Sequence, residues 1–563
     1  MKPTSDRASK RGRAGALLLL MLLVLSFLLT ACSGGAETPK EQKSHVLNGI
    51  ATVDEKYTKD MNPFSSTANP GVSSLIYEPL IFTNIMDNSL TPWLASGYSF
   101  SKDLGTLTLT LRKGVTWSDG IPFTANDVLF TFRLLKKYPS MDVNNLWAYL
   151  ANVEAPDQYT VVLSFARPYP PLLWSVGKTT PVPEHVFSRV ADPRPGHFIN
   201  ESPVGTGPYL LKSFDPYLVQ YVKNTRYWQA DKAQISEVRF HVLKNNNEAW
   251  EGVASGRYDW SGIFPSGDIN ATYVKKDPAH NHYWFAPYAN LMLFVNHERA
   301  PFNILPIRQA ISLALDRERM FKDAEGGYEP VASPTAVVLP GHKKFLDPQY
   351  ANLKFSRDLD QAKSLLAAQG YRAGADGILQ SSLGTRLSFN LVVPADWSDW
   401  VEVCKIIQDN LKAVGIEVKL NGLSVQKYYE ARSLGDFDML LGTTTPSPHP
   451  FYMYDMLLNS SQVPPVGEAA VSNYERWRDA ETNELLNQYA GTIDPKVQQQ
   501  ALNGLQRIMV EKLPAIPLLY AAMWFEYNDK RFTGWPNEKN PYASAQVTDS
   551  DNIMIILNLK PVS

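Results

Sequence analysis

Two nearby carboxylates are the first residues in this chain that could do chemistry. The segment WSDGIPFTANDV, residues 117–128, carries Asp119 and Asp127. A carboxylate pair can act as general acid and base, as in the hydrolysis of a glycosidic bond. The same segment also fits a turn at Asp-Gly, followed by a helix whose first turn is capped by Thr124 and Asp127. We therefore expect both acids to be structural, with no catalytic residue here.

Other reactive side chains give little support for catalysis or metal binding. Cys404 lies in WVEVCKIIQDNLKAVG, among residues at helical spacing, and is expected to be a buried apolar side chain. His280 and His282 in AHNHYW offer only two metal ligands, whereas a metal site needs three or four convergent donors. The chain has no nucleophile elbow, zinc HExxH motif or phosphate loop. We expect no metal, no cofactor and no enzymatic activity.

The first 43 residues have the pattern of an export signal. Residues 1–31 combine a basic stretch with an apolar run that is short for a membrane span. The small residues before Cys32 resemble the bacterial lipobox, in which the cysteine is lipidated. Residues 32–43 are small and polar, as in a flexible tether. We predict a lipoprotein signal peptide over 1–31, lipidation at Cys32, and a protein held outside the cytoplasm at the cell membrane.

Length and charge narrow the class further. A chain of 563 residues is long enough for two or more domains. Residues 1–31 carry five Lys or Arg and one acid, so removal of this segment lowers the formal net charge from −2 to −6. That balance gives no reason to expect nucleic-acid binding, which needs clustered basic surface.

Strand and helix patterns alternate along the chain. TLTLTL, residues 106–111, predicts a strand with one buried face. Residues 358–368 predict a helix that ends at Gly370. A strand at 386–393, a helix at 401–414 and the strand-like IEVKL predict a β-α-β unit, and DFDMLLG predicts a further strand that ends at Gly442. The pattern favours an α/β or α+β class with more than one lobe.

One long segment, LTPWLASGYSFSKDLGTLTLTLRKGVTWSDGIPFTANDVLFTF at 90–132, resembles the signature region of the family 5 extracellular solute-binding proteins. These are the oligopeptide-, dipeptide- and nickel-binding components of ABC importers. Similar stretches follow in order, namely VGTGPY (204–209), PIRQAISLALDRERM (306–320), DLDQAKSLLAAQGY (358–371) and LPAIPLL (513–519). The resemblance implies an α/β, two-lobed periplasmic-binding-protein fold of class II, cluster C, with a hinge and an extra N-terminal subdomain.

The resemblance also implies a domain layout. Lobe I would comprise residues 44–288, with a subdomain near 75–203, and residues 517–563 would return to it. Lobe II would comprise residues 289–516. A solute would be enclosed as the lobes rotate, because it binds the closed form more tightly. The expected partners are the solute, ABC permease subunits and the membrane through the lipid, with the protein itself a monomer.

The ligand class is less clear, because one family motif is altered. Many peptide-binding members carry Gly-Trp-x-Ala-Asp-Tyr, whose aspartate pairs with the α-ammonium of the peptide. The corresponding residues 442–447 read Gly-Thr-Thr-Thr-Pro-Ser, with Thr443 at the tryptophan position and Pro446 at the aspartate position. A buried ammonium needs a charged or strongly hydrogen-bonding partner. The usual peptide anchor is therefore absent, unless another segment supplies the acid.

A second departure favours sugar. ADWSDW, residues 395–400, resembles the segment found in members that bind plant-type β-oligosaccharides. Trp397 and Trp400 could stack on the apolar faces of sugar rings, although either could equally pack in the core. Aromatic tracts at 282–288 and 523–527 are further candidates. The residues expected to contact ligand are Trp397, Trp400, Gly442, Thr443, Thr444, Thr445, Asn62, Phe64, Tyr288, Asn296 and Trp524.

Several functions remain open at this point. The leading prediction is the substrate-binding lipoprotein of an ABC importer that captures an oligomeric solute, with oligopeptide as the prevailing class in the family. A β-oligosaccharide-binding member of the same family is the alternative. A lipid-anchored glycoside hydrolase is a remote third, and a receptor that feeds a sensor kinase would share the same fold.

Overall fold

The computed structural model describes residues 45–53, 56–265, 267–461 and 463–562. The predicted signal peptide, the lipidation at Cys32 and the tether at 32–43 lie outside these residues. Within the described residues, no helix is both long and apolar enough to cross a bilayer.

A seven-stranded sheet dominates one part of the molecule. Its strands, in spatial order, are Asn281–Tyr283, Glu526–Asn528, Trp260–Ser261, Val46–Val53, Glu237–Leu243, Leu218–Lys223 and Tyr209–Asp215. The first strand in the chain, Val46–Val53, is central and runs parallel to Glu237–Leu243. Leu47 to Ile50 along it are all buried, as expected for a strand covered on both faces.

A four-stranded antiparallel sheet forms a separate layer. Its strands, in spatial order, are Ala95–Phe100, Thr106–Leu111, Thr160–Phe165 and Leu150–Asp157. In the TLTLTL strand the three leucines are buried and the threonines are half-buried or exposed, which confirms the predicted alternation. Helix Ala125–Lys137 packs against strands Leu150–Asp157 and Thr160–Phe165.

The two acids of residues 117–128 accept backbone hydrogen bonds in the segment that leads into helix Ala125–Lys137. Asp119 Oδ1 accepts a hydrogen bond from Ile121 N within the turn, where Gly120 has a φ of 94°. Asp127 Oδ2 accepts from Thr124 N at 2.9 Å, while Thr124 Oγ1 accepts from Asn126 N at 3.3 Å. The predicted turn and capping box are both confirmed.

A five-stranded sheet contains the predicted β-α-β unit. Its strands, in spatial order, are Glu417–Leu423, Ser388–Pro394, Met439–Thr443, Ala286–Val295 and Ile516–Met523. Strand Ser388–Pro394 runs parallel to both Glu417–Leu423 and Met439–Thr443. The connecting helix, Ser398–Lys412, begins three residues before the predicted start. Asp399 lies in its first turn, where a negative charge favours the helix dipole. Cys404 is free and buried in this helix, as predicted.

The two large sheets share one antiparallel ribbon. Strand Asn281–Tyr283 pairs with Glu526–Asn528 in the seven-stranded sheet, and Ala286–Val295 pairs with Ile516–Met523 in the five-stranded sheet. Between these ladders, Trp284 N donates to Phe525 O at 2.9 Å, so the pairing continues across the junction. Within the described residues, the chain passes from sheet to sheet only along this pair of strands, which we call the crossover ribbon.

The remaining elements are short strands and helices. Two-stranded pairs are formed by Ile81–Thr83 with Leu90–Pro92, Arg372–Ala373 with Leu379–Gln380, and Phe532–Thr533 with Lys560–Pro561. The other α-helices are Leu172–Gly177, Glu184–Phe187, Asn246–Ala254, Ile269–Thr272, Leu305–Ala314, Arg317–Arg319, Leu359–Ala368, Val425–Leu434, Pro450–Leu458, Ala480–Ala490, Pro495–Lys512 and Asn552–Asn558. Single turns of 3₁₀- or π-helix are Val72–Ile76, Pro139–Met141, Leu146–Ala148, Val274–Lys276, Met320–Ala324, Lys343–Phe345 and Pro348–Tyr350.

Candidate ligand-binding site

A cavity of about 420 Å³ lies beside the crossover ribbon. Residues from both large sheets and their connections line it, including Phe264 after the strand Trp260–Ser261 and Thr443 at the end of Met439–Thr443. We call it the aromatic pocket, since its wall contains Phe264, Trp397, Trp400, Tyr428, Tyr429 and Trp524. Its volume is within the range of small-molecule sites, about 300–1,000 Å³. The pocket brings together four residues predicted from sequence, namely Trp397, Trp400, Thr443 and Trp524.

The two tryptophans of ADWSDW form one wall of this pocket. Trp397 is the N-cap residue of helix Ser398–Lys412, and Trp400 lies in its first turn. Their ring centroids are 4.6 Å apart with an interplanar angle of 84°, which is edge-to-face packing. Tyr428 lies behind both, at 6.4 and 6.5 Å. The pair is half-buried, so it both supports the helix start and presents aromatic surface to the cavity.

Trp524 adds a further aromatic side chain to the pocket wall, at the junction of the crossover ribbon. Its ring packs edge-to-face on Phe285, 4.8 Å away in the junction between strands Asn281–Tyr283 and Ala286–Val295, and on Phe264 at 5.2 Å. The two aromatic tracts at 282–288 and 523–527 therefore meet beside the pocket. Because Trp524 is attached to the ribbon itself, a ligand in this pocket would touch the connection between the sheets.

In the altered motif at 442–447, some residues pack inside the protein and others line a cavity. Gly442 is buried, and a Cβ there would lie 2.9 Å from Tyr428 Oη, so this position has no room for a side chain. Thr443 faces the aromatic pocket. Thr444 is bound to strand Ala286–Val295: its N donates to Asn290 O at 2.9 Å, and its Oγ1 accepts from Asn290 N at 3.0 Å.

Thr445 and Tyr288 lie at a second, much smaller cavity. The Tyr288 hydroxyl donates to Asp549 Oδ2 at 2.7 Å, and Ser544 Oγ donates to the same oxygen at 2.7 Å. Burial raises the pKa of Tyr288 well above its usual value, so the phenol stays protonated. Tyr288 is thus tied to the C-terminal segment of the chain.

Three other predicted residues do not line the aromatic pocket. The Asn62 amide donates to the carbonyls of Pro193 and Phe198. The Phe64 ring packs edge-to-face on Phe187. The Asn296 amide donates to Gly435 O at 2.9 Å and to Phe437 O at 3.3 Å. Both asparagines are fully buried and brace loops, and the structure gives neither a contact with the pocket.

The pocket also contains acids that the sequence patterns did not identify. Glu329 is only 4% exposed, yet it lines the cavity beside Asp396 and Asp399. Glu329 Oε1 accepts from Ala522 N at 2.7 Å, whereas Oε2 has no hydrogen-bond partner among the described residues. Asp396 and Asp399 belong to ADWSDW, the segment that also supplies Trp397 and Trp400. For Glu329 no sequence signal existed, because it enters the pocket from a loop.

Burial dominates the electrostatics of these acids. It raises the pKa of Glu329, and the charge of Asp399 raises it further. It also raises the pKa of Glu325, a fully buried neighbour whose carboxylate oxygens have no hydrogen-bond partner in the described part of the chain. Burial also raises the pKa of Asp399, and backbone hydrogen bonds at the helix start offset only part of this increase. In the free protein the pKa values of these carboxyl groups therefore lie above their usual range.

Among the described residues that line the pocket, Arg432 is the one cationic side chain. The Arg432 guanidinium lies 4.7 Å from the ring centroid of Tyr429 and 4.4 Å from that of Tyr474. Such stacking holds the guanidinium plane in place without neutralising its charge. Its Nε is buried and has no hydrogen-bond partner within the described ranges.

The paired histidines are used elsewhere. His280 Nδ1 and His282 Nε2 lie 2.9 and 3.2 Å from the two carboxylate oxygens of Asp529. Within the residues that the structure describes, no group of three or more His, Cys, Asp or Glu is arranged to hold a metal ion.

Known proteins share both the sequence and the fold. Residues 89–464 match the family described as bacterial extracellular solute-binding proteins, family 5. The nickel-binding periplasmic protein of Escherichia coli is 28% identical over 427 residues, which covers 72% of this chain and 76% of that protein. The oligopeptide-binding protein AppA of Bacillus subtilis is 24% identical over 535 residues, covering 91% of this chain and 94% of that protein.

Solved structures extend the match to the whole fold. A periplasmic oligopeptide-binding protein of an ABC transporter from Thermotoga maritima is similar, with a TM-score of 0.84 and 26% identity, covering 93% of this chain and 100% of that chain. A mannohexaose-bound structure of that protein has a TM-score of 0.80, again with 26% identity, over 92% of this chain and 99% of that one. The two-lobed periplasmic-binding-protein architecture predicted from the sequence is thereby confirmed. This chain belongs to the bacterial extracellular solute-binding proteins of family 5, extracytoplasmic proteins that bind solutes for transport and do not convert them.

Proposed function

We propose that this protein is the solute-capturing component of an ABC importer and that its solute is an oligopeptide, bound in the aromatic pocket. Relatives with oligopeptide-binding names cover nearly the full chain. The protein would act as a monomer, held at the outer face of the membrane by lipid on Cys32, and would hand its solute to permease subunits.

The position of the aromatic pocket is the observation that carries this proposal. It adjoins the crossover ribbon and takes residues from both large sheets. A solute there would contact both parts at once and would stabilise whichever arrangement encloses it. We infer that lobe I is built on the seven-stranded sheet, residues 44–288 and 517–563, and lobe II on the five-stranded sheet, residues 289–516. Strand Ile516–Met523 pairs within the five-stranded sheet. In this division the chain therefore returns from lobe II to lobe I within the crossover ribbon.

A β-oligosaccharide is the second candidate, and the tryptophans favour it. Trp397, Trp400 and Trp524 all line the pocket, and flat aromatic surfaces of this kind stack on sugar C–H faces. The similar Thermotoga maritima protein has been solved with mannohexaose. Asp396 and Asp399 would accept hydrogen bonds from sugar hydroxyl groups, and the Asn246 amide could both donate and accept them.

A thermal-shift comparison tests the proposal. The purified protein is heated with a pool of tri- to pentapeptides, and separately with cello-, xylo- and manno-oligosaccharides. A ligand at 100 times its dissociation constant adds about 2.7 kcal/mol to the free energy of unfolding, which is a measurable rise in melting temperature. We expect a rise with peptides.

The alternative results are equally informative. A rise with oligosaccharides alone would replace the peptide assignment by the sugar assignment. Any release of shortened products from labelled oligosaccharide would contradict the absence of catalysis. No rise with either set would contradict both ligand assignments.

A further inference from the structure

We propose that Glu329, together with Asp399, forms a subsite of the aromatic pocket that binds the positively charged amino group of the ligand. The inference rests on the proposed peptide function and deepens it. It assigns the missing anchor to a loop far in sequence from Pro446, where the family motif would place an aspartate.

Glu329 is buried, and it lines the aromatic pocket. One carboxylate oxygen is fixed, because it accepts from the backbone of Ala522 on the crossover ribbon at 2.7 Å. The other oxygen is buried and unpartnered within the described residues, although the residue lines a cavity large enough for a ligand. A buried polar atom left without a partner destabilises the folded protein, and a ligand donor placed there would remove that penalty.

The surroundings of Glu329 favour a cation over a neutral donor. Glu329 interacts electrostatically with two other acids, namely Glu325 from its own segment and Asp399 from the start of helix Ser398–Lys412. Asp396 lies at the same helix start, and the facing ribbon residues Ala521 and Ala522 carry no charge. Burial disfavours the ionised forms of Glu325 and Glu329 in the free protein, and an incoming ammonium is the partner that makes the ionised form of Glu329 favourable.

The rest of the pocket fits a ligand with charges of both signs. Arg432 lines the cavity from helix Val425–Leu434, stacked against Tyr429 and Tyr474. A short peptide with free termini has an ammonium at one end and a carboxylate at the other, and a guanidinium is a strong partner for a carboxylate. A neutral oligosaccharide would use neither charge.

Three proteins and two ligand pools test the inference. The proteins are the wild type, Glu329→Gln and Glu475→Gln. Glutamine keeps an oxygen that can accept from Ala522 N but cannot become an anion. Glu475 is a matched control: it is fully buried, both carboxylate oxygens lack hydrogen-bond partners among the described residues, and it does not line the pocket. The pools are tri- to pentapeptides with free amino termini and the same peptides N-acetylated.

We expect the wild type and Glu475→Gln to bind the free-amine pool alike and Glu329→Gln to bind it about 10- to 100-fold more weakly, as measured from the peptide concentration that half-saturates the thermal shift. The acetylated pool should bind the wild type weakly. In weakly buffered solution at pH 7, binding of the free-amine pool should release about one proton per protein, because an ammonium draws the carboxyl group into its ionised form. The Glu329→Gln variant should release none.

Failure of the inference and failure of the peptide function give different results. If the wild type binds both pools equally, or Glu329→Gln binds like the wild type, the cation subsite is overturned while the peptide function stands. If the wild type binds neither pool, the peptide function and the subsite fall together. The comparison of pools on the wild type requires no variant, so misfolding of Glu329→Gln would not protect the inference.

Discussion

At the residue scale, side chains that look alike in sequence have separate roles in the structure. Trp397, Trp400 and Trp524 line the aromatic pocket. By contrast, the buried side chains of Asn62 and Asn296 donate hydrogen bonds to loop carbonyls. Aromatic residues at a helix entrance or a strand junction are forecast by local pattern. The partner of a buried amide is set by distant segments, as when Asn62 bonds Pro193, and no local pattern contains it.

Replacement of Trp397 by alanine should weaken ligand binding about tenfold, because the pocket loses one of its exposed aromatic faces and the support of Trp400. The measurement is the half-saturating ligand concentration in the thermal-shift titration. Trp174→Ala is the control, since Trp174 is a half-buried tryptophan that packs on Tyr452 and is not part of this pocket. Equal loss in both variants would contradict a ligand role for Trp397.

Gly442→Ala should lower the melting temperature in the absence of ligand. The new methyl group would lie 2.9 Å from Tyr428 Oη and 3.1 Å from the Phe294 ring, and both side chains are buried, so the strand or the tyrosine must shift. Overpacking of this kind costs about 1–3 kcal/mol. Gly97→Ala, in a strand where an added Cβ meets nothing within 4 Å, should be nearly neutral. Similar melting temperatures for the two variants would show that the Gly442 site relaxes freely.

At the element scale, the patterns with local causes are predicted well. The TLTLTL strand, the capping box and the β-α-β unit all depend on residues close in sequence, and all are present. The start of helix Ser398–Lys412 was placed three residues late, because its first turn is polar and carries no apolar periodicity. The pairing of the crossover ribbon has no local sequence signal. Its strands Ala286–Val295 and Ile516–Met523 are separated in the chain by the other three strands of the five-stranded sheet.

The capping role of Asp127 is directly testable. Asp127→Ala removes acceptors for Thr124 N and for Glu184 N, the latter at 3.1 Å, and should lower the free energy of unfolding by about 1–3 kcal/mol. Asp119→Ala removes an exposed hydrogen bond from Ile121 N and a partly exposed contact with His185, and should cost less than about 1 kcal/mol. Denaturant unfolding measures both. Unchanged ligand affinity is expected in each variant, and a loss of affinity without a loss of stability would reopen a site role for these acids.

At the scale of the whole molecule, buried ionisable groups predict how stability changes with pH. Burial raises the pKa of Glu475, Glu526 and Asp551 to about 8 each, so the folded protein holds more protons than the unfolded chain between about pH 4.5 and 8. Their contribution to stability therefore falls as pH rises through this range. Burial lowers the pKa of His241 and His297 to about 4, and this contribution rises with pH only up to about 6.5.

Above pH 6.5 the carboxyl contribution alone remains, so the melting temperature should fall between pH 6.5 and 8. A scan of melting temperature against pH measures this, and the Glu475→Gln variant should show a shallower fall. One proton accounts for at most about 1.4 kcal/mol per pH unit. A melting temperature that is flat or rising over this range would contradict the raised pKa values.

The crossover ribbon has a mechanical consequence for how tightly any solute is held. Both links between the sheets are strands of one hydrogen-bonded ladder, from Asn281–Tyr283 with Glu526–Asn528 to Ala286–Val295 with Ile516–Met523. Such a ladder resists stretching and sliding, because these motions break its hydrogen bonds, but it can twist. The affinity measured for a solute then includes the free energy needed to twist the ribbon away from its angle in the free protein. Substitutions that stiffen or relax the ribbon would change affinity without touching the solute.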